Sequence, residues 1–213
     1  MAAVERTRDA AYQAHVLSCR ACNVCGLKNL SGCAHPSPWA NWMGSLSARV
    51  VVVGQDFSGT DREWREPKLD LPTNQNLGKL IRAAGLGPQD VYLTNAILCL
   101  KPGGTSDRVR PEWVRNCASL LRETIKIVAP AAVAALGGVA WRAVAHAFDL
   151  RLPPLSESVG AGPAPVPGGP TLFAFNHPGG LGLVRRPFAR QADDWRRLGD
   201  WVRAAPTPVR AAG

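Results

Sequence analysis

Short apolar segments typical of buried strands alternate with amphipathic helical patterns along most of the chain. The strand patterns cover residues 48–54, 91–98, 131–137 and 171–176, and helical patterns occur at 76–84, 111–125, 139–148 and 195–202. Repeated strand–helix units produce a parallel sheet, because each crossover helix packs back onto the sheet. We therefore predict an α/β fold with a central four-stranded parallel sheet flanked by helices on both faces.

The length of the chain limits the number of domains. With 213 residues it can bury one sizeable core and is short for two. No internal repeat divides it, so residues 1–213 are predicted to form a single domain. Within it, we expect residues 1–18 and 205–213 to be peripheral or flexible.

The formal net charge of +9 restricts the partners of the protein. Such a basic excess suits a polyanion or an anionic membrane surface, although a GC-rich genome that favours Arg also produces basic proteins. The first residues contain no apolar signal region, and no run approaches the ~20 apolar residues of a membrane span. We expect a monomer that enters no membrane, in the cytoplasm of a bacterium and associated with its nucleoid.

Polar side chains follow three of the predicted strands. Gln55 and Asp56 end the first strand, Asn95 lies within the second and Cys99 follows it, and His177 follows the fourth. Ligands of open parallel sheets bind beyond the carboxyl ends of the strands. The sequence therefore predicts one crevice at which these groups converge.

Three segments carry a family resemblance. VVVGQDFSG resembles the first active-site motif of uracil-DNA glycosylases, which begins Gly-Gln-Asp in the classical branch of that family. YLTNAIL resembles the strand that bears the uracil-reading Asn, and NHPGGLG resembles the second motif, His-Pro followed by a loop with a Leu. The chain is similar to the family from about Cys22 to Trp201. The resemblance implies a monofunctional glycosylase of base excision repair that flips uracil out of DNA and leaves an abasic site.

The chemistry of that reaction suits the residue types. Breaking an N-glycosidic bond leaves positive charge on the sugar and negative charge on the departing base. The Asp56 carboxylate would stabilise the sugar and orient water, and His177 would donate a hydrogen bond to O2 of the base. Asn95 offers both a donor and an acceptor, which match O4 and N3–H of uracil and mismatch cytosine. The alternative roles are a turn cap for the Asp, a structural His, and an Asn that satisfies buried backbone.

The second motif implies contacts with the DNA. Leu181 stands where the family has a wedge that fills the space left by the flipped base. Gly179 and Gly180 would let the backbone approach phosphates closely. Arg185 and Arg186 are predicted to bind the DNA backbone, with a solvated basic pair as the alternative.

The first motif departs from the classical branch, in which Pro-Tyr-His follows and the Tyr excludes thymine. Phe57 and Ser58 stand there instead, and together with Gln55 they are our candidates for contacts with the base. Phe57 is the candidate for stacking on uracil, with Trp64 as the alternative. This departure leaves open a broader specificity that includes hypoxanthine or xanthine.

The cysteines resemble those of the thermophilic-type branch, which binds an iron–sulfur cluster. The matching positions are Cys22, Cys25, Cys99 and Cys117. The resemblance implies a [4Fe–4S] cluster, and zinc is the alternative because four thiolates suit either. Cys19 with Cys22 forms a competing first pair, and Cys33 is a spare.

Two further function classes remain open on the sequence. One is a protein that binds uracil-containing or abasic DNA with little turnover, and the other is a zinc-stabilised nucleic-acid module without activity. A related cluster-containing group captures uracil-DNA covalently through a His that follows the third Cys. Residues 100–110 contain no His, so we expect turnover rather than covalent capture.

Overall fold

A mostly parallel sheet forms the centre of the molecule in the computed structural model, which describes residues 2–27, 44–56, 72–99 and 108–206. The strands are β1 (Val50–Gly54), β2 (Val91–Asn95), β3 (Ala132–Leu136), β4 (Ala164–Pro165) and β5 (Thr171–Phe175). The helices are α1 (Ala2–Ala21), α2 (Pro72–Ala83), α3 (Pro111–Val128), α4 (Gly137–Ala147), α5 (Leu155–Ser158), α6 (Gly180–Arg185) and α7 (Phe188–Ala204).

The strand order is β2-β1-β3-β5-β4. The first four of these strands are parallel, as predicted, and β4 adds a short antiparallel edge against β5. The sequence did not predict β4, because two residues in a Pro- and Gly-rich segment carry no strand pattern. The chain runs from β1 to β2 on one side and then crosses back to β3 on the other side of β1. This reversal creates a switch point, where open parallel sheets bind ligands.

Both faces of the sheet are covered. Val51 and Val53 of β1 point into a core formed with α1, α3 and α4, whereas Val50 and Val52 point into a second core formed with α2 and α7. The alternation follows from the two-residue period of side chains in a strand. It explains why β1 begins with four consecutive valines, since all four are buried.

One side of helix α1 packs against the core, although most of its described side chains are exposed. Tyr12 and Val16 of α1 are buried, and the Tyr12 and Tyr92 rings meet edge to face with their centroids 6.4 Å apart. These contacts depend on a strand 80 residues away, so the local sequence could not predict them. None of the helices in the described ranges has the length and apolar character needed to cross a membrane.

Candidate active site

The carboxyl edge of the sheet brings the predicted polar groups to one end of the molecule. Asp56 lies two residues beyond β1, Asn95 is the last residue of β2, and His177 lies two residues beyond β5. Gly54 and Asn95 are register partners at the ends of adjacent parallel strands. The three groups therefore lie at the same edge of the sheet. Cys99, which the sequence placed in the same crevice, instead lines a cavity with other cysteines.

The Asn95 amide lies directly over the backbone of β1. A Cβ atom on Gly54 would lie 2.5 Å from Asn95 Oδ1, so only glycine leaves room for the amide. The connection after β2 is held to the first motif by Ala96 N–H, which donates to Gly54 O at 2.9 Å, and by Ile97 N–H, which donates to Gln55 O at 3.0 Å. These contacts hold the amide beside the Gln55–Asp56 turn.

Asp56 is half-buried at the carboxyl edge of the sheet. The Gln55 side chain donates from Nε2 to Asp56 Oδ1 at 3.3 Å, which orients the carboxylate. Its negative charge is close enough to His177 to act on the titration of the imidazole. The two groups of the proposed chemistry therefore belong to one electrostatic site.

His177 has a defined proton arrangement. The backbone N–H of Gly179 donates to His177 Nδ1 at 3.1 Å, so Nδ1 is an acceptor and the proton of the neutral ring is on Nε2. Desolvation by the surrounding protein lowers the pKa of His177, and the charge of Asp56 opposes this effect. The ring keeps solvent-exposed surface. A neutral imidazole with an available Nε2–H is the result.

Helix α6 follows the His-Pro segment and packs against its backbone. A side chain on Gly182 would collide with the His177 carbonyl, so the helix approaches closely only because of this glycine. Leu181 is 82% exposed and Val184 is 81% exposed. Gly180, the first residue of α6, is exposed, whereas Gly179 is buried.

The two consecutive arginines have different surroundings. Arg185 is exposed, and no ion pair is found for it within the described ranges. Arg186 donates from Nη2 to Asp194 Oδ1 at 2.7 Å and also bonds Asp194 Oδ2 through Nε. Arg197 bonds the same buried carboxylate. Arg186 therefore has a structural role that the sequence did not predict.

Phe57 and Ser58 lie outside the described residues, as do Trp64, Cys33 and the loop of residues 100–107. Asn76 of α2 was not predicted from the sequence as a site residue. Its side chain donates from Nδ2 to Pro178 O at 3.0 Å and so joins α2 to the loop that carries His177. The polar run Thr73 to Asn76 at the start of α2 was the available signal.

Five cysteines line one small cavity that is partly open to solvent. They are Cys19, Cys22, Cys25, Cys99 and Cys117. Burial, and then the charges of neighbouring thiols, raise the pKa of Cys19 and that of Cys117 to about 12. Asn116 Nδ2 donates to Cys25 Sγ at 3.3 Å. Among the residues that the structure describes, no three His, Cys, Asp or Glu side chains are placed to hold a metal ion.

Comparison with known proteins assigns the chain to a family. A model of the uracil DNA glycosylase superfamily matches residues 41–199. A type-5 uracil-DNA glycosylase of Pyrobaculum aerophilum is 38% identical over 122 residues, which are 50% of each chain. A type-4 enzyme of Archaeoglobus fulgidus is 25% identical over 145 residues, or 68% of this chain and 67% of the relative.

A type-4 enzyme of Thermotoga maritima is 29% identical over 97 residues, which are 46% of this chain and 49% of the relative. The match spans about half the length of the Pyrobaculum and Thermotoga relatives. The family model, in contrast, covers well over half of this chain, including β1, β2, β5 and α6. The chain belongs to the uracil-DNA glycosylase superfamily.

Proposed function

We propose that this chain is a uracil-DNA glycosylase that flips uracil out of DNA and hydrolyses its N-glycosidic bond. The observation that supports this most is the position of Asp56, Asn95 and His177 at the same carboxyl edge of the sheet, with a His177 Nδ1 that accepts a hydrogen bond and so leaves the proton on Nε2. The products would be free uracil and an abasic site. We expect the enzyme to act as a monomer on DNA in the bacterial cytoplasm.

Asp56 would act on the sugar. As the bond between C1′ and the base breaks, C1′ becomes electron-poor, and a carboxylate at its face stabilises the cationic sugar. The same carboxylate would orient a water molecule, whose oxygen bonds to C1′ while its proton passes to the carboxylate or to solvent. The Gln55 contact supports this role, because it fixes one carboxylate oxygen.

His177 would act on the departing base. The electron pair of the broken bond moves into the uracil ring and concentrates on O2, and the Nε2–H of the imidazole would donate to that oxygen. Protonation of the ring would put a hydrogen on Nδ1, where the Gly179 N–H already points. This conflict and the lowered pKa of His177 both favour the neutral ring.

Asn95 would select the base. Its Oδ1 would accept from uracil N3–H and its Nδ2 would donate to O4, whereas cytosine presents an acceptor and a donor in the opposite order. The close packing of Asn95 Oδ1 against Gly54 supports this role, because packing restricts the positions that the amide can take. Phe57 and Ser58 remain our candidates for further contacts with the base.

Helix α6 would meet the DNA. Exposed Leu181 would enter the stack where uracil leaves, and the exposed Gly180 backbone and Arg185 would contact phosphates. Gly179 is buried and its N–H donates to His177, so it would support the loop rather than bind a phosphate. The net charge of +9 supports a polyanionic partner. Arg186 would contact DNA only through the part of its guanidinium group that does not bond Asp194.

We also propose a [4Fe–4S] cluster at the cysteine cavity, with Cys22, Cys25, Cys99 and Cys117 as ligands. The lining contains five thiols and no carboxylate, which is the soft donor set that iron–sulfur clusters use. Zinc stays the alternative, because four thiolates suit either metal centre. When bound, the cluster supplies cross-links between α1, the end of β2 and α3. Cys19 stays an alternative ligand.

Base release from matched oligonucleotides tests the function. Single-turnover assays with U, T, hypoxanthine or xanthine at one position should show uracil released fastest. Asp56→Ala should lose release while it still binds uracil-DNA, because the carboxylate acts mainly on the transition state. His177→Ala should slow release by roughly 10²–10³-fold, the effect of losing one oxyanion donor. Tight binding without release by the unmodified protein would contradict an enzymatic role.

A further inference from the structure

The first turn of α2 contacts the loop that carries His177. Asn76 Nδ2 donates to Pro178 O at 3.0 Å, across 102 residues of sequence. A Cβ atom on Gly179 would lie 3.0 Å from Thr73 Oγ1 and 2.9 Å from His177 Nδ1. The start of the helix, the loop and the imidazole therefore meet at Gly179.

One peptide unit connects Asn76 to the imidazole. The Pro178 carbonyl and the Gly179 N–H belong to the same planar peptide group. Its oxygen accepts from Asn76, and its N–H donates to His177 Nδ1. Because the unit is rigid, a hydrogen bond that fixes the carbonyl also fixes the direction of the N–H. Each hydrogen bond polarises the peptide and so strengthens the other.

We propose that Asn76 is a positioning residue that acts through the Pro178–Gly179 peptide to hold His177 with its proton on Nε2. The catalytic consequence rests on the proposed function, because an Nε2–H is what the departing base requires. The tautomer itself depends only on the geometry of the free protein.

A purely local role of Asn76 fits the contacts less well. Asn is an unfavourable residue inside a helix, and it favours helix starts when its side chain accepts from the local backbone. Asn76 is the fifth residue of α2, and its Nδ2 donates instead to a distant carbonyl. The Nδ2 donor is therefore the essential group. Variants of Asn76 should lose activity according to whether they remove this donor or replace it by an acceptor.

Two variants of Asn76 separate donation from packing. Asn76→Ala removes the donor, and Asn76→Asp keeps the shape but places an acceptor against the Pro178 carbonyl. Lys79→Gln, on the exposed surface of the same helix, is the control. We expect single-turnover uracil release at saturating enzyme to fall about ten-fold in Asn76→Ala, since roughly one hydrogen bond is lost, and further in Asn76→Asp. The dissociation constant for uracil-DNA should change little.

The direct measurement is ¹⁵N NMR of the histidine side chains in the protein without DNA. The chain has four His, and His177→Gln assigns the resonances of interest. The unmodified protein and Lys79→Gln should show His177 protonated on Nε2, and both Asn76 variants should show an increased Nδ1–H population. If Asn76→Ala does not fold, as judged by circular dichroism, Asn76→Asp alone decides.

The outcomes distinguish this proposal from the proposed function. An unchanged tautomer together with an unchanged rate in the folded Asn76 variants overturns the positioning role, while uracil release by the unmodified protein still supports the enzyme. A tautomer shift in a protein that releases no base supports the positioning role and contradicts the enzymatic one. A lower melting temperature with an unchanged tautomer would mean that Asn76 only stabilises the fold, and this too overturns the proposal.

Discussion

Gly54 leaves the space beside β1 in which the Asn95 amide lies. The sequence predicted that Asn95 reads the base, because it lies on a strand that resembles the family's uracil-reading strand. The contact with Gly54 could not be predicted, since it requires the register of two parallel strands 41 positions apart. The Asn95 Oδ1 occupies space beside β1 that a side chain at position 54 would take.

Changing Asn95 to Asp should alter base choice. The carboxylate has no donor for uracil O4, and unsatisfied buried polar groups cost about 1–3 kcal/mol, so most uracil release should be lost. Once protonated, the carboxyl group introduced by Asn95→Asp could donate to cytosine N3 and accept from the cytosine amino group, which should give weak cytosine release. Asn95→Ala should lose uracil release without this gain. Wild-type uracil release by both variants would show that Asn95 does not read the base.

Acid should inhibit the enzyme through His177. Because desolvation by the surrounding protein lowers the pKa of His177 from its ordinary value of 6.5, the ring stays neutral at neutral pH and gains a proton only below that value. The release rate should therefore be constant near neutrality and fall below pH 6.5. The same shift makes acid destabilising, since the unfolded chain binds this proton first. His177→Gln should lose this inflection of the rate, and its persistence would assign the inflection to another group.

Elements with a regular apolar pattern were predicted well, whereas elements defined by distant contacts were not. The four parallel strands follow the predicted segments because both faces of the sheet are buried. The second strand ends at Asn95, three residues before its predicted end, where the backbone turns to bond the first motif. The pairing of Arg186 on the segment after α6 with Asp194 of α7 had no local signal.

Arg185→Ala and Arg186→Ala form a matched pair that tests helix α6 as a DNA surface. Arg185→Ala should reduce the slope of log affinity against log salt by about 0.9, the value for one phosphate contact, and leave the melting temperature unchanged. Arg186→Ala should instead destabilise the fold by about 1–3 kcal/mol, because it removes a partner from the buried Asp194 carboxylate. An unchanged salt slope in Arg185→Ala would place the DNA backbone elsewhere.

The cysteine cavity matters for the whole molecule because its walls come from three separate parts of the chain. Cys22 and Cys25 follow α1, Cys99 follows β2, and Cys117 lies on α3. Ligands so far apart in sequence couple metal binding to folding, since the unfolded chain has no such site. The buried thiols also resist ionisation in the absence of a cation. A bound cluster would therefore stabilise the packing of α1 and the end of β2 against α3.

If the cavity holds a [4Fe–4S] cluster, variants that lose a ligand should lose both iron and thermal stability. The purified protein should be brown, with broad visible absorption from iron–thiolate charge transfer and close to four iron atoms per chain, whereas zinc gives no colour. Cys99→Ser and Cys117→Ser should lose colour and iron and melt at a lower temperature, because each removes a link between distant elements. Cys33→Ser is the matched control and should keep both the iron and the melting temperature.

Comparing Cys19→Ser with Cys25→Ser identifies the fourth ligand, since only loss of the true ligand should reduce the iron content. A colourless protein with stoichiometric zinc would contradict the iron assignment, and a colourless, metal-free protein that still melts cooperatively would contradict the structural role of this site.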